Sequence, residues 1–325
     1  MEILIIKLGA KGDVVRTLSV LPAIKEKFPN SKITWVTKNS SSKILENHPL
    51  IDSIKTPPFS TEKKFDILYN FDIEKEATDV AKQVSAEKKL GFSEEFGYPI
   101  SFNQGAEYYL NTLFDDDLKR ENKKTYQEMM FSLAELEFKK QKPRIYLTEN
   151  EKSYAQKFLQ DNNLNPEDLV GIHMGSGKRW PSKAWAPNKI KNLIIELNKI
   201  GKNVLLFGGP DEIDTHKKLV GELKSEGIRM YKNNPNNTDR EFFSLISLPS
   251  TIVCSDSFAL HIALSFEKPT ICLFFVTSPD EIEGYGILKK VVSPMLYDYF
   301  PEKSDQYSEE LVNSISVSEV LSKLN

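Results

Sequence analysis

Short apolar runs alternate with longer amphipathic stretches along this chain. "ILII" (Ile3–Ile6), "KITWV" (Lys32–Val36) and "DILYN" (Asp66–Asn70) read as strands. Between the first two, Val14, Leu18, Leu21 and Ile24 recur at helical spacing, which predicts one helix over Val14–Phe28 ended by "FPN". Ser41–Asn47 predicts a short helix ahead of "HPLIDSI". Strand, helix and strand at these intervals predict parallel βαβ units. Residues 93–142 are less regular. Within them "DDDLKRENKK" (115–124) reads as a solvated turn, and "TYQEMMFSLAELEF" as a helix closing a first domain. "KKQKPRIYLTENE" reads as a linker plus a short strand, and "LTENEKSYAQKFLQDNN" as a capped helix. A second alternation follows. "DLVGIHMG", "NVLLFGGP", "STIVCSD" and "PTICLFF" are strands, separated by helices over "SKAWAPNKIKNLIIELNKIG", "DEIDTHKKLVGELKSEG" and "SFALHIALSFE".

The pattern predicts an α/β protein of two doubly wound, Rossmann-like domains with a cleft between them. Residues 1–145 form one domain and 146–305 the other, and a C-terminal helix over 306–325 packs back on the first. The length of 325 residues suits two cores of ordinary size. In open α/β sheets, ligands sit beyond the carboxyl ends of the strands, so chemistry is sought in the loops that leave them.

Composition narrows the field of partners. A hydrophobic fraction of 40% and a charged fraction of 27% are globular values. A net charge of −3 provides no field to attract nucleic acid, so no nucleic-acid partner is expected. Cys254 and Cys272 lie in apolar runs and read as buried thiols, neither disulfide nor metal ligands. No apolar run approaches the roughly 20 residues a membrane span requires, and the expected address is cytoplasmic.

Four loops hold the candidate chemistry. In "KLGAKGDVVR" a strand turns through Gly9 and Gly12 into a helix, placing Asp13 and Arg16 at the junction. Asp13 there serves equally as a helix cap or as an active-site carboxylate. The turn lacks G-x-G-x-x-G, which argues against a nicotinamide dehydrogenase. "HMGSGKRWPSKAW" brings Gly175, Ser176, Lys178 and Arg179 to a glycine-rich turn that reads as an anion site or as a solvated basic helix start. The Walker spacing is absent. In "FGGPDEI", Glu212 caps the next helix or accepts hydrogen bonds from a ribose. In "CSDSFALHIAL", Asp256 and Ser257 open a helix with free amides, and His261 follows about one turn on. A histidine on so apolar a helix is more often a buried, hydrogen-bonded residue than a catalyst. No His/Cys/carboxylate spacing suggests zinc, and no G-x-S-x-G suggests a hydrolase.

Taken in order, "ILIIKLGAKGDVVRTLSVLPAIKEKFP", "KRWPSKAW", "LLFGGPDE", "SDSFALHIAL" and "TSPDEIEGYG" resemble the family 9 glycosyltransferases, the ADP-heptose:lipopolysaccharide heptosyltransferases. The resemblance covers most of the chain. It implies a GT-B fold whose C-terminal domain holds a nucleotide sugar and whose N-terminal domain holds the acceptor. It also implies an inverting reaction that needs no metal or cofactor, with ADP-heptose as donor. The acceptor it implies is a lipopolysaccharide-type, lipid-linked or other oligosaccharide, reached by peripheral contact with the inner face of the cytoplasmic membrane. Position by position, Asp13 matches the family's catalytic aspartate and Lys178 the lysine suited to the departing diphosphate. Glu212 matches the ribose-binding glutamate. Gly175, Ser176, Asp256, Ser257, Phe258 and His261 match the positions around phosphate and sugar. Gly12, Arg16, Lys63 and Lys64 fall to the acceptor side. Phe258 stands where the family usually has glycine, and Phe275–Val276 replace a glycine–proline turn. A transferase for a different nucleotide sugar, or a degenerate nucleotide-sugar-binding protein, is the alternative.

Overall fold

The structure is a computed structural model that describes residues 1–324 except 174, 176 and 178. It divides into two units: Met1–Tyr146 with Asp280–Glu283, and Leu147–Pro279 with Gly284–Asn325.

In the first unit the chain runs β1 (Glu2–Ile6), α1 (Lys11–Thr17), α2 (Val20–Lys27), β2 (Lys32–Val36), α3 (Asn39–Leu45), β3 (Ser53–Lys55) and β4 (Phe65–Asn70). It continues through α4 (Lys75–Gln83), β5 (Ala86–Glu95), β6 (Tyr98–Ser101), α5 (Gln104–Thr112), α6 (Asp116–Glu121) and α7 (Tyr126–Leu133). The sheet order is β3-β2-β1-β4-β5-β6. Its strands are parallel except for the β5–β6 hairpin. β1 is central, with Ile3 opposite Ile33 on one side and Ile67 on the other. That is why it reads as an unbroken apolar run: both faces are covered by helices.

The second unit runs α8 (Glu149–Asn162), β7 (Leu169–His173), α9 (Pro187–Lys199), β8 (Asn203–Phe207), α10 (Ile213–Ser225), β9 (Tyr231–Lys232) and α11 (Asp239–Ile246). It continues through β10 (Thr251–Ser255), α12 (Phe258–Ser265), β11 (Thr270–Phe274), β12 (Leu288–Val292), α13 (Leu296–Tyr299), α14 (Glu309–Asn313) and α15 (Val317–Leu321). Its sheet, β12-β11-β10-β7-β8-β9, is wholly parallel. Both sheets therefore share one winding, in which strand order reverses beside the first strand. The reversal lies between β1 and β4 in one unit and between β7 and β10 in the other, and ligands bind beyond the carboxyl ends at such a point.

Four sequence expectations are corrected. The helix over Val14–Phe28 is two helices, broken at Leu18–Ser19. A continuous helix would need an N–H at residue 22 to bond the Leu18 carbonyl; Pro22 has none, and Ser19 Oγ bonds the Arg16 carbonyl instead at 2.8 Å. The charge-rich run at 115–124 contains α6, started by Asp115, whose carboxylate accepts the Leu118 amide at 2.9 Å. Residues 139–147 form no strand, and Pro143 interrupts the donors a strand would need. The C-terminal segment packs on the second unit rather than the first, and as two short helices. Leu311, Ile315 and Val320 join the core of Val170, Ile172 and Trp185, and the Trp185 indole donates to the Ile315 carbonyl at 3.2 Å. The short Asp280–Glu283 segment belongs to the first unit, where the Tyr126 amide donates to Glu281 O at 2.9 Å.

His48, just after α3, is 6% exposed, and its Nδ1 accepts the Leu50 amide at 3.3 Å. Burial lowers its pKa to about 4 from the ordinary 6.5. As pH falls, the unfolded chain binds this proton first, so stability present above about pH 6.5 is lost towards pH 4. Between pH 7 and pH 5 the first unit should lose about 2 kcal/mol from this group. Urea titrations at the two pH values measure the loss, and His48→Gln should flatten it.

Candidate functional site

Beyond β1 and β4, one carboxylate gathers the first unit's loops. Asp72 Oδ2 accepts the Leu8 and Gly9 amides at 3.0 and 3.1 Å, and its Oδ1 accepts the Glu74 amide at 3.1 Å. The loop that leaves β1 is thus tied to the end of β4. The Glu74 carboxylate packs over Gly9: a Cβ there would stand 2.7 Å from Glu74 Oε1 and would push that side chain aside. Lys7 lies beneath, its ammonium 3.2 Å from the Phe71 carbonyl and 3.4 Å from Asp72, with both side chains 6% exposed. Burial disfavours its charge, but the neighbouring carboxylates of Asp72 and Asp13 favour it, and its pKa is raised. Lys7 is a permanent buried cation.

Asp13 is the third residue of α1, whose cap position is Ala10. Its carboxylate is paired with the Arg16 guanidinium and is 27% exposed. Arg16 lies over the Tyr126 ring, 4.0 Å from its centre. Thr17 Oγ1 donates to the Asp13 carbonyl at 2.7 Å and meets the Tyr126 hydroxyl at 2.9 Å. Tyr109 packs edge-on against Tyr126 at 5.9 Å. Burial raises the pKa of both tyrosines, so each stays a neutral phenol. Asp13 is therefore a partly open carboxylate on a rigid floor, with Gly12 beside it in α1.

Lys63 and Lys64 do not join this group. Lys63 pairs with Glu2 at 2.7 Å and Lys64 with Glu87 at 3.0 Å, at the starts of β1 and β5. The five-residue β1 separates them from the Asp13 end by about 16 Å at 3.3 Å per residue. The family resemblance assigned them to the acceptor side, and the direction of β4 places them at its start, away from Asp13.

In the second unit, β7 leads into the glycine-rich turn. Ser176 and Lys178 lie outside the described residues. Gly175 touches Glu212: a Cβ there would come within 2.5 Å of Glu212 Oε1. Glu212 Oε2 accepts the Gly209 amide at 2.8 Å, and Asn233 clamps Gly208 through both its N–H and its carbonyl at 3.0 Å. His173 ends β7 as a neutral imidazole, its pKa lowered to about 4 by burial and then by His216.

Beyond β10, Asp256 is 9% exposed, 3.2 Å from the Lys183 ammonium and 3.7 Å from His261 Nε2. Ser257 caps α12 from an extended conformation, and its buried Oγ has no hydrogen-bond partner among the described residues. The Phe258 ring stacks on Phe242 at 6.4 Å and meets Phe243 edge-on at 5.7 Å, so α11 houses the bulk. Phe275 and Val276 are fully buried and fill the second core. Among the described residues, no three His, Cys, Asp or Glu side chains are grouped to hold a metal ion.

Sequence reasoning missed Lys7, Asp72, Tyr126 and Lys183. Two had a local signal. Lys7 closes an otherwise apolar strand, and Asp72 follows the strand that pairs with β1. Lys183 stands within the quoted "KRWPSKAW" and shows its role only beside Asp256.

Two Rossmann-like units of this winding in one chain make a GT-B glycosyltransferase fold. Residues 61–312 match the model of glycosyltransferase family 9 (heptosyltransferase), and the chain belongs to that family. Asp13 and Arg16 precede the matched region. Lipopolysaccharide heptosyltransferase 2 of Escherichia coli K12 is 26% identical over 189 residues, which span 56% of this chain and about half, 53%, of that protein. Lipooligosaccharide heptosyltransferase 2 of Haemophilus influenzae is 25% identical over an alignment of 352 positions, covering 100% of this chain and 99% of that one. Among solved structures, a family 9 glycosyl transferase from Veillonella parvula superposes with TM-score 0.79 at 17% identity, over 99% of this chain and 95% of its own. E. coli ADP-heptose LPS heptosyltransferase II gives 0.71 at 17%, over 100% and 98%.

Proposed function

We propose that this protein is an inverting, metal-independent glycosyltransferase that moves a heptose from ADP-heptose to a lipopolysaccharide-type or other cell-surface glycan. The reading rests most on Asp13, a 27% exposed carboxylate held by Arg16 at the point where the first sheet's strand order reverses. One Asp13 oxygen takes the proton of an acceptor hydroxyl as that oxygen attacks the anomeric carbon. The bond from that carbon to the diphosphate breaks on the opposite face, and ADP departs. Its growing charge meets the amides at the start of α12 and, from the sequence match, Lys178. Glu212 accepts the ribose hydroxyls, while Gly175 leaves the nucleotide room to approach. Lys183 and His261 fix Asp256 at the mouth of α12. The enzyme works in the cytoplasm, meeting its acceptor at the inner face of the membrane; among the described residues no helix is long and apolar enough to cross a bilayer.

Thermal unfolding with ADP-, UDP-, GDP- and CDP-sugars tests the donor. ADP-heptose at 100 times its Kd should add about 2.7 kcal/mol of apparent stability, and the others much less. Glu212→Ala should weaken ADP binding about tenfold, the loss of roughly one charge-assisted hydrogen bond. A shift confined to UDP-sugars would replace ADP-heptose as donor.

A further inference from the structure

An ion pair that the transfer step does not use lies across the loop leaving β1. Lys38, just beyond β2, pairs with Glu74, just beyond β4. Both side chains are open to solvent, at 38% and 45% exposed. Gly9 runs beneath them: a Cβ there would meet Glu74 Oε1 at 2.7 Å and Lys38 Nζ at 3.7 Å. The next residue, Ala10, accepts the Asp13 amide at 2.9 Å, so the pair and Asp13 border one turn. Asp72 fixes the Glu74 backbone by accepting its amide at 3.1 Å.

Stability does not account for this arrangement. An exposed ion pair contributes little once side-chain entropy and solvent screening are counted. Nor does the turn itself demand glycine, because Gly9 is outside the left-handed region. The missing Cβ instead leaves room for the Glu74 carboxylate to lie over the loop. Its Oε2 meets Lys38, and among the described residues no donor reaches Oε1. An ionised carboxylate only accepts hydrogen bonds, so that oxygen suits a hydroxyl and repels an anion.

The cations around it do not reverse that preference. Lys7 is buried against Asp72, Arg16 is paired with Asp13 and Lys38 with Glu74. Lys11, in the first turn of α1, is engaged as well. We propose that Glu74 is a specificity-determining residue for the acceptor, selecting an uncharged sugar over a uronic acid or a sugar phosphate. Glu74 Oε1 accepts one sugar hydroxyl, and Lys38 donates to the hydroxyl beside it. This rests on the reading that the first unit holds the acceptor at Asp13.

Saturation-transfer NMR on the full chain, with ADP present at saturation, should detect methyl α-mannoside but neither methyl glucuronide nor mannose 6-phosphate. Glu74→Ala should weaken mannoside binding about fivefold, the loss of roughly one hydrogen bond. The same variant leaves Lys38 without its carboxylate and should let the glucuronide bind, an exchange of ligand class that a merely structural residue would not produce. Gly9→Ala should lose mannoside to a similar extent by pushing Glu74 aside, with wild-type thermal unfolding. ADP affinity should stay within about twofold in both variants. The proposal is overturned by no mannoside binding at about 50 mM, by wild type preferring the glucuronide or the phosphate, or by mannoside binding that both variants keep. If Asp13→Asn keeps full turnover while these binding results hold, the transfer reading fails and the sugar subsite stands.

Discussion

Asp13→Asn is expected to lower kcat/KM for transfer by about 10²–10⁴-fold, the range for loss of a positioned general base. ADP binding should stay within twofold of wild type. The substitution preserves volume and removes the carboxylate charge that both accepts the proton and pairs with Arg16. The Thr17 bond to the residue-13 carbonyl and the Arg16–Tyr126 stack do not need the carboxylate, so the floor of the site should persist. Release of ADP in a coupled assay measures the rate, and calorimetry measures the binding. Turnover within tenfold of wild type would remove Asp13 as base. A parallel loss of ADP binding would mean the variant had disturbed more than one proton transfer.

Lys7→Met should be the most destabilising single change near the site. Lys7 and Asp72 are both about 6% exposed, and the variant leaves the carboxylate buried without its cation. Removing one partner of a buried pair costs about 3–5 kcal/mol. Part of that cost is offset here because Asp72 also accepts the Leu8 and Gly9 amides, so about 3 kcal/mol is expected. Urea unfolding of the first unit measures it. Lys7→Met combined with Asp72→Asn should recover much of the loss, since the double variant removes both charges and Asn can still accept an amide. A single variant costing under 1 kcal/mol, or a double variant no better than the single, would show that the pair does not organise this loop.

Much of the architecture could be read in advance, because it is written in local periodicity. Buried parallel strands need continuous apolar runs, and the helices between them need one apolar stripe, so "ILII" and "PTICLFF" announce themselves. The failures have equally local causes. Pro22 lies at helical spacing among apolar residues yet withholds the donor that would have joined α1 to α2. The charge-rich run at 115–124 looks like a turn because it lacks an apolar stripe, and Asp115 makes it a helix by capping.

The candidate site divides the same way. Asp13, Glu212, Asp256 and Ser257 were legible because each follows a strand and opens a helix, and that position needs no knowledge of neighbours. The chain alone thus determined the two doubly wound sheets, the strand ends where chemistry belongs and the family resemblance. Tertiary structure decided which groups meet. Lys7 finds Asp72 across 65 positions because β1 pairs with β4 only after an intervening crossover through β2 and β3. Lys183 finds Asp256 because β7 lies beside β10. Lys63 and Lys64 were lost to the far end of a strand whose direction, more than its sequence position, sets what it approaches. A parallel sheet places neighbours far apart in sequence, so the charges that pair across it are invisible to any reading of periodicity.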